Sequence, residues 1–372
     1  MIIGVPKEIK LQEHRIGLTP DSVKTLTEKG HKVLVQTNGG YEAGFTNEDY
    51  KKAGAKIIEK PEEIFKVAEI IVKVKEPLMS EVNMIKENQI IYTYLHLAAA
   101  KELTEGLINT KSVCIAYETV TDDKGRLPLL APMSAVAGRM SIQAGAHSLE
   151  KNQKGRGLLL GGAPGVEPAI VVILGGGVVG ENAAIIATGM KGKVFIVDKS
   201  KDRLKELHKM FGDKIIPAES DKIDLKKLVS ECDLLVGGVL IPGAEAPKLV
   251  TKEMVKNMKR GSVVVDVAID QGGCVETSKP TTHANPTYLV NDVVHYCVAN
   301  MPGGVPRTST MALNKATLPL LIKIADNGYK KTLKENKNYL AGLNIHKGKV
   351  TFKGVADAFN LAYLSAEKAL SE

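Results

Sequence analysis

The chain has 372 residues, 44% of them hydrophobic and 25% charged, a balance that excludes a disordered polymer. At roughly 100–200 residues per domain that length implies two domains. The formal net charge is +8, yet the lysines are scattered through stretches such as 201–214 and 330–339 and no basic block is interleaved with aromatics, so nucleic acid is not an expected partner.

The excess positive charge instead favours an anionic substrate or cofactor. No apolar run approaches the ~20 residues of a membrane helix. The opening MIIGVPKEIK lacks the apolar stretch of a secretory signal, so the chain reads as cytoplasmic, with no membrane partner. Cys114, Cys232, Cys274 and Cys297 form no C-x-x-C pair and have mostly apolar neighbours. They read as small buried hydrophobes, and neither a disulfide framework nor a metal site is expected.

Residues 1–128 alternate short apolar runs with amphipathic stretches. Strands are expected at Ile2–Val5, Val33–Gln36, Ile70–Val74, Ile90–Tyr94 and Val113–Tyr117, with helices at 20–30, 46–54 and 99–109. Such alternation predicts a parallel sheet with helices on its faces. A long helix is expected at 133–151, with Met133, Val136, Ala137, Met140 and Ala144 on one face. Its Ala and Gly content suits close packing on another backbone. The Gly- and Pro-rich stretch 152–168 neither follows a strand nor opens a helix, so it reads as a hairpin or surface loop.

A second alternating series has strands at Ala169–Leu174, Lys193–Val197, Lys214–Ile216, Leu234–Gly237 and Ser262–Val267. After Pro306 the chain reads as helical, at 308–328 and again through the C-terminal VADAFNLAYLSAEKAL. This tail is expected to return to the first domain, because the second sheet is already full. The fold class is therefore α/β: two Rossmann-like doubly wound parallel-sheet domains with an interdomain cleft. The first spans 1–128 and 307–372; the second spans 129–306.

The strongest motif lies in the second domain. Gly175, Gly177 and Gly180 form G-x-G-x-x-G after an apolar strand and at the start of a small-residue helix. The first glycine allows a tight turn, the second lets a pyrophosphate approach, and the third lets helix and strand pack closely. Val178 and Val179, between them, belong to the same turn, whose helix N-terminus offers free N–H groups to phosphate. Asp198 ends the next strand, where a carboxylate accepts from ribose hydroxyls and repels a 2′-phosphate, so NAD is the expected cofactor. Ser220, Val239 and Leu240 follow later strands at the same edge, and Asp270 follows SVVVDVAI.

The first domain supplies polar groups near its strand ends. His96 follows IIYTYL, Lys75 ends IIVKVK, and Arg15 lies in the loop before Pro20, with His14 beside it. A histidine there serves as acid or base, and an arginine grips a carboxylate. By pattern alone each also fits a structural role: a satisfied core histidine, an exposed strand-end lysine, a loop ion pair. Asp270 likewise fits an ordinary loop aspartate.

Taken together, these positions resemble the alanine dehydrogenases, which share a fold with the alpha subunit of nicotinamide nucleotide transhydrogenase. The resemblance runs through IGVPKEIK, EHRIGLTP, VKVKEP, YLHLAA, APMSAVAGRMS, LGGAPGV, ILGGGVVG, VDVAIDQGGC, TTHANPTYLV and HYCVANMPGGVPRTSTMALNKATLP, nearly the whole chain in order. It implies a first domain assembled from both chain ends, with an NAD domain between them. It implies that Arg15 and Lys75 bind the pyruvate carboxylate and carbonyl, and that His96 and Asp270 form the acid–base pair. Ser134, Asp198, Arg203, Ser220, Val239, Leu240, Val267, Asn300 and Met301 match NAD-contacting positions. The implied reaction is oxidative deamination of L-alanine to pyruvate and ammonium, in a homo-oligomer, a hexamer. Three rival readings are a transhydrogenase-type subunit, which needs an NADP-binding partner and membrane segments, a dehydrogenase for another amino acid such as lysine or one with a branched side chain, and a non-catalytic NAD-binding protein.

Overall fold

The computed structural model describes residues 1–239 and 246–371. The chain divides into two compact units, Met1–Pro132 with Val305–Glu372, and Met133–Gly304. The divisions fall in the first turn of the helix Ala131–Ser148 and just before the helix Pro306–Asn327.

The first unit opens with six strands: β1 (Ile2–Val5), β2 (Lys32–Gln36), β3 (Lys56–Ile58), β4 (Ile70–Val72), β5 (Ile90–Thr93) and β6 (Val113–Ala116). They lie side by side in the order β3-β2-β1-β4-β5-β6, all parallel. Every residue of β4, β5 and β6 is buried, as apolar runs covered on both faces must be. β1 has β2 on one side and β4 on the other, so the connections diverge there. Beyond the carboxyl ends of such a pair lies the crevice where doubly wound sheets bind ligands. β3 is too short and too polar at Lys56 to have stood out in the sequence.

The second unit has β7 (Ile170–Leu174), β8 (Lys193–Asp198), β9 (Ile215–Glu219), β10 (Leu234–Gly237), β11 (Val263–Asp266), β12 (Thr287–Val290) and β13 (Val293–Tyr296). Their order is β12-β13-β11-β10-β7-β8-β9, so this sheet diverges between β7 and β10. The edge strand β12 runs antiparallel to β13 across the turn at Asn291 and Asp292, both at positive φ. The helix Ala131–Ser148 buries Met133, Val136 and Ala137, with Met140 and Ala144 packed beside them. Its glycines are required by close approach. A Cβ on Gly138 would stand 2.2 Å from the Val179 carbonyl oxygen, and one on Gly145 would stand 2.6 Å from Leu234. The stretch 152–168 carries an antiparallel bridge between Ala163 and Val166, the geometry of a small hairpin.

The C-terminal stretch corrects the expectation of a helical tail. β14 (Leu343–His346) pairs antiparallel with β6, and β15 (Lys349–Val350) pairs antiparallel with β14. The first sheet thus has eight strands among the described residues and is mixed rather than wholly parallel. VADAFNLAYLSAEKAL is not one helix. It breaks at Asn360, in left-handed backbone, into Lys353–Phe359 and Ala366–Ser371. Asparagine tolerates that conformation and ends a helix as glycine does.

Candidate functional site

In the second unit the glycine-rich turn bridges β7 and the helix Val178–Gly189. Gly175 has φ +94°, open to glycine at no steric cost. Its hydrogen side faces the Gly238 carbonyl and Val239, 3.0 and 3.2 Å from a would-be Cβ. A Cβ on Gly180 would fall 1.8 Å from the Gly175 oxygen, so helix and turn meet this closely only because residue 180 is glycine. Gly177 differs: among the described residues, its chain neighbours aside, no atom lies within 4 Å of its would-be Cβ. The protein leaves open space there, at a helix start whose N–H groups have no intrahelical partner.

Asp198, the last residue of β8, closes this turn from the side. Its Oδ2 accepts from the Gly176 N–H (2.6 Å) and its Oδ1 from the Ser200 N–H (2.8 Å). Each oxygen keeps a lone pair for a further donor. Arg203 donates to the Gly176 carbonyl (2.7 Å) and pairs with Glu181 and Glu206, so it braces the turn. Burial disfavours its charge, but the two glutamates override this and push its pKa up. Ser220 donates its N–H to the Asp198 carbonyl (3.1 Å). Ser134 is half-buried in the helix Ala131–Ser148. Leu240 lies outside the described residues.

Beyond β11, a single-turn helix, Val267–Gln271, carries Val267 and the exposed Asp270. It is held by Asp266, which is fully buried. The Asp266 carboxylate accepts from the N–H groups of Ala268 (3.1 Å), Cys274 (2.9 Å) and Val275 (3.1 Å), and from Ser278 Oγ (2.6 Å). Asn300, at φ +62°, precedes the buried Met301, and its carbonyl lies 3.1 Å from His283 Nε2.

In the first unit, Arg15, Lys75 and His96 all lie beyond the carboxyl ends of adjacent strands β1, β4 and β5. The Arg15 loop is pinned from two sides. Gly17 crosses the Val72 carbonyl so closely that a Cβ would stand 2.5 Å away. Asn314, on the helix Pro306–Asn327, accepts from the Thr19 N–H (2.8 Å) and donates to the Gly17 carbonyl (3.1 Å). Arg15 is 2% exposed and pairs bidentately with the buried Glu13, at 2.7 and 2.6 Å. Burial works against the guanidinium charge; Glu13 reverses this and raises its pKa. A cavity of about 230 Å³ opens here, lined by Glu8, Lys10, Glu13, His14 and Arg15 among others.

Lys75 stands three residues past β4 rather than at its end, because the strand stops at Val72. His96 likewise lies past β5, in left-handed backbone at φ +51°. Non-glycine residues hold that conformation at a cost of order 1–3 kcal/mol, and it recurs at working sites. Glu118 fixes it by accepting from the His96 N–H (2.6 Å). The half-exposed ring places Nδ1 3.7 Å from Glu76 Oε2. Glu76 also pairs with Lys10. Burial alone would raise its pKa, but His96, Lys75 and Lys10 together hold its carboxyl well below the ordinary 4.5.

The supporting carboxylates Glu8, Glu13, Glu76, Glu118 and Asp266 escaped sequence reasoning. Two signals pointed to them: a charged residue inside an apolar run, as in VVVDV, and the lysines alternating in VKVKEP. All four cysteines are buried and unpaired. Burial pushes the Cys114 and Cys232 thiols up to about 12, so they are inert. Among the described residues no cluster of His, Cys, Asp or Glu is placed to hold a metal ion, and no helix is long and apolar enough to cross a membrane.

Two family models match the chain: the alanine dehydrogenase/PNT N-terminal domain over residues 4–137 and the C-terminal domain over 141–353. An alanine dehydrogenase from Halomonas elongata is 54% identical over 98% of this chain and 99% of its own. One from Methanococcus maripaludis is 55% identical over the full length of both. A solved L-alanine dehydrogenase superposes with a TM-score of 0.94 at 50% identity, covering 97% of this chain and 99% of that one. Family models over both parts of the chain, together with full-length relatives above 50% identity, leave one assignment: the chain belongs to the alanine dehydrogenase/PNT family.

Proposed function

We propose that this chain catalyses the reversible NAD-dependent oxidative deamination of L-alanine to pyruvate and ammonium. The observation that carries the reading is the gathering of Arg15, Lys75 and His96 beyond adjacent strand ends in a unit whose relatives are named alanine dehydrogenase. The second unit fits a dinucleotide. Gly177 leaves the space a pyrophosphate needs, and Asp198 keeps acceptor capacity for ribose hydroxyls. The Asp198 charge disfavours a 2′-phosphate, which selects NAD over NADP. Val178, Val179, Ser134, Ser220, Val239, Leu240, Val267, Asn300 and Met301 complete the proposed nucleotide contacts, with Arg203 bracing the turn.

Bound NAD supplies the hydride acceptor. The chain's own groups do the rest. Arg15, already locked by Glu13, offers a preorganised guanidinium to the substrate carboxylate, and so little ordering entropy remains to be lost on binding. Lys75 binds the same carboxylate and the carbonyl of pyruvate. His96 turns Nδ1 toward Glu76, which leaves Nε2 to take the proton of attacking water. Asp270 is the partner in proton transfer. The active form is a cytoplasmic homo-oligomer, a hexamer.

A panel of amino and keto acids, run with NAD and with NADP, tests the reading. L-Alanine with NAD is expected to be the productive pair. His96→Ala is expected to lose activity by about 10²–10⁴-fold with an unchanged melting temperature, since the side chain is half exposed. Full activity in His96→Ala, or a preference for NADP, refutes it. Light scattering on the eluted enzyme checks the hexamer.

A further inference from the structure

We propose that Glu8 is a positioning residue for Lys75, holding the backbone that presents this lysine; the inference rests on Lys75 binding substrate. β1 ends at Val5, and beyond it the chain departs, so the segment that follows β4, which stops at Val72, has no β1 residue beside it. The N–H groups of Val74 and Lys75 therefore do not bond to β1. Glu8 replaces it: Oε1 accepts from the Val74 N–H (2.6 Å) and the Lys75 N–H (3.3 Å).

The other oxygen, Oε2, accepts from Lys73 Nζ (2.9 Å), which also meets Glu81 Oε1 (2.8 Å). Glu81 in turn accepts on Oε2 from the Leu78 N–H (3.0 Å). These three side chains are 0–3% exposed. A lone lysine between two carboxylates is a buried network that stays satisfied only while every donor has an acceptor. On the far side, Thr93 Oγ1 donates to the Lys75 carbonyl (2.9 Å) and Tyr117 to the Lys73 carbonyl (3.0 Å). The segment 73–75 is thus clamped from both sides, and Glu8 is the clamp that touches Lys75 itself.

A carboxylate is needed at Glu8 because donors face both of its oxygens. Glutamine must turn its NH₂ either on Lys73 or on the two amides, so one donor confronts another. Glu8→Gln then shifts the Lys75 backbone. Glu81→Gln creates the same defect in the same network, but at Leu78. The pair separates positioning from general destabilisation.

In Glu8→Gln the KM for pyruvate is expected to rise about tenfold, with the KM for NADH within about twofold of wild type. Both variants are expected to lower the melting temperature to a similar extent, but Glu81→Gln is expected to leave the pyruvate KM within about twofold of wild type. Lys75→Ala is expected to be inactive; with that result in hand, equal KM changes in the two variants, or none in Glu8→Gln, overturn the proposal. A Lys75→Ala enzyme with wild-type KM and kcat would instead overturn the substrate role of Lys75 and the inference with it. Should Glu8→Gln not fold, Glu8→Asp keeps the charge toward Lys73 but withdraws from the amides, and the same KM rise is expected.

Discussion

Replacing Gly177 by alanine separates a nucleotide-binding role from a packing role within one turn. The backbone there has φ −67° and ψ −163°, which any residue adopts. Among the described residues, apart from the chain neighbours, no atom lies within 4 Å of the added methyl. Alanine also restricts the unfolded chain, which favours folding by about 0.4–1 kcal/mol. Against this stands a comparable loss, because alanine starts a helix less well than glycine. The melting temperature is therefore expected to stay within a few degrees. The methyl occupies the space reserved for pyrophosphate and forces it off the helix N–H groups. Losing one charge-assisted hydrogen bond costs about 2 kcal/mol, or about thirtyfold in Kd. The counterpart is Gly180→Ala, whose methyl meets the Gly175 oxygen at 1.8 Å. There the helix must back away by about 1 Å, an overpacking cost of about 3 kcal/mol that appears in melting. The assay is NADH fluorescence titration beside thermal unfolding. Wild-type NADH affinity in a folded Gly177→Ala protein would refute the placement of the pyrophosphate.

Two further outcomes follow from the buried carboxylates. Asp266→Asn leaves an amide donor facing the N–H groups of Cys274 and Val275, and is expected to cost about 3 kcal/mol, measured by denaturant unfolding; an unchanged midpoint contradicts the assigned hydrogen bonds. Glu76 has its folded pKa depressed below 4.5, so its contribution to stability is complete above that pH and is lost as pH falls through the folded value. The stability gap between wild type and Glu76→Gln is then expected to be constant from neutral pH down to about 5 and to close only in stronger acid. A gap that closes near neutrality contradicts the Lys10–Glu76–His96 arrangement.

The legible parts of this chain were those in which one physical requirement acts on consecutive residues. Two-sided burial makes β5, β6, β7 and β11 near-continuous apolar runs. The pyrophosphate turn demands glycine at fixed offsets within six residues, from Gly175 to Gly180. β14 and β15 were not legible, because each is short and half polar. Their place is set by the free edge of β6 rather than by their own pattern. The stretch VADAFNLAYLSAEKAL read as one helix because Ala and Leu make up half of it, and it breaks where Asn360 takes up left-handed backbone.

The groups that orient the candidate site were hidden for a related reason. Glu8 serves Lys75, Glu13 serves Arg15, Glu118 serves His96, and Asp266 braces the turn of Asp270. Only two of these pairs are close in sequence. The others join strands whose adjacency depends on the order β6-β5-β4-β1, which no local pattern specifies. Each partner meets a cation or a set of amides left unpaired where a strand stops, so the ends of parallel strands create both the crevice and the need for buried acceptors. A sequence reader who knew the sheet order would look for acids just beyond each central strand and would find them at Glu8, Glu76 and Glu118. Sheet order therefore precedes site anatomy: the candidate reactive groups can be guessed from motif, but what fixes them becomes visible only after the strands have been placed.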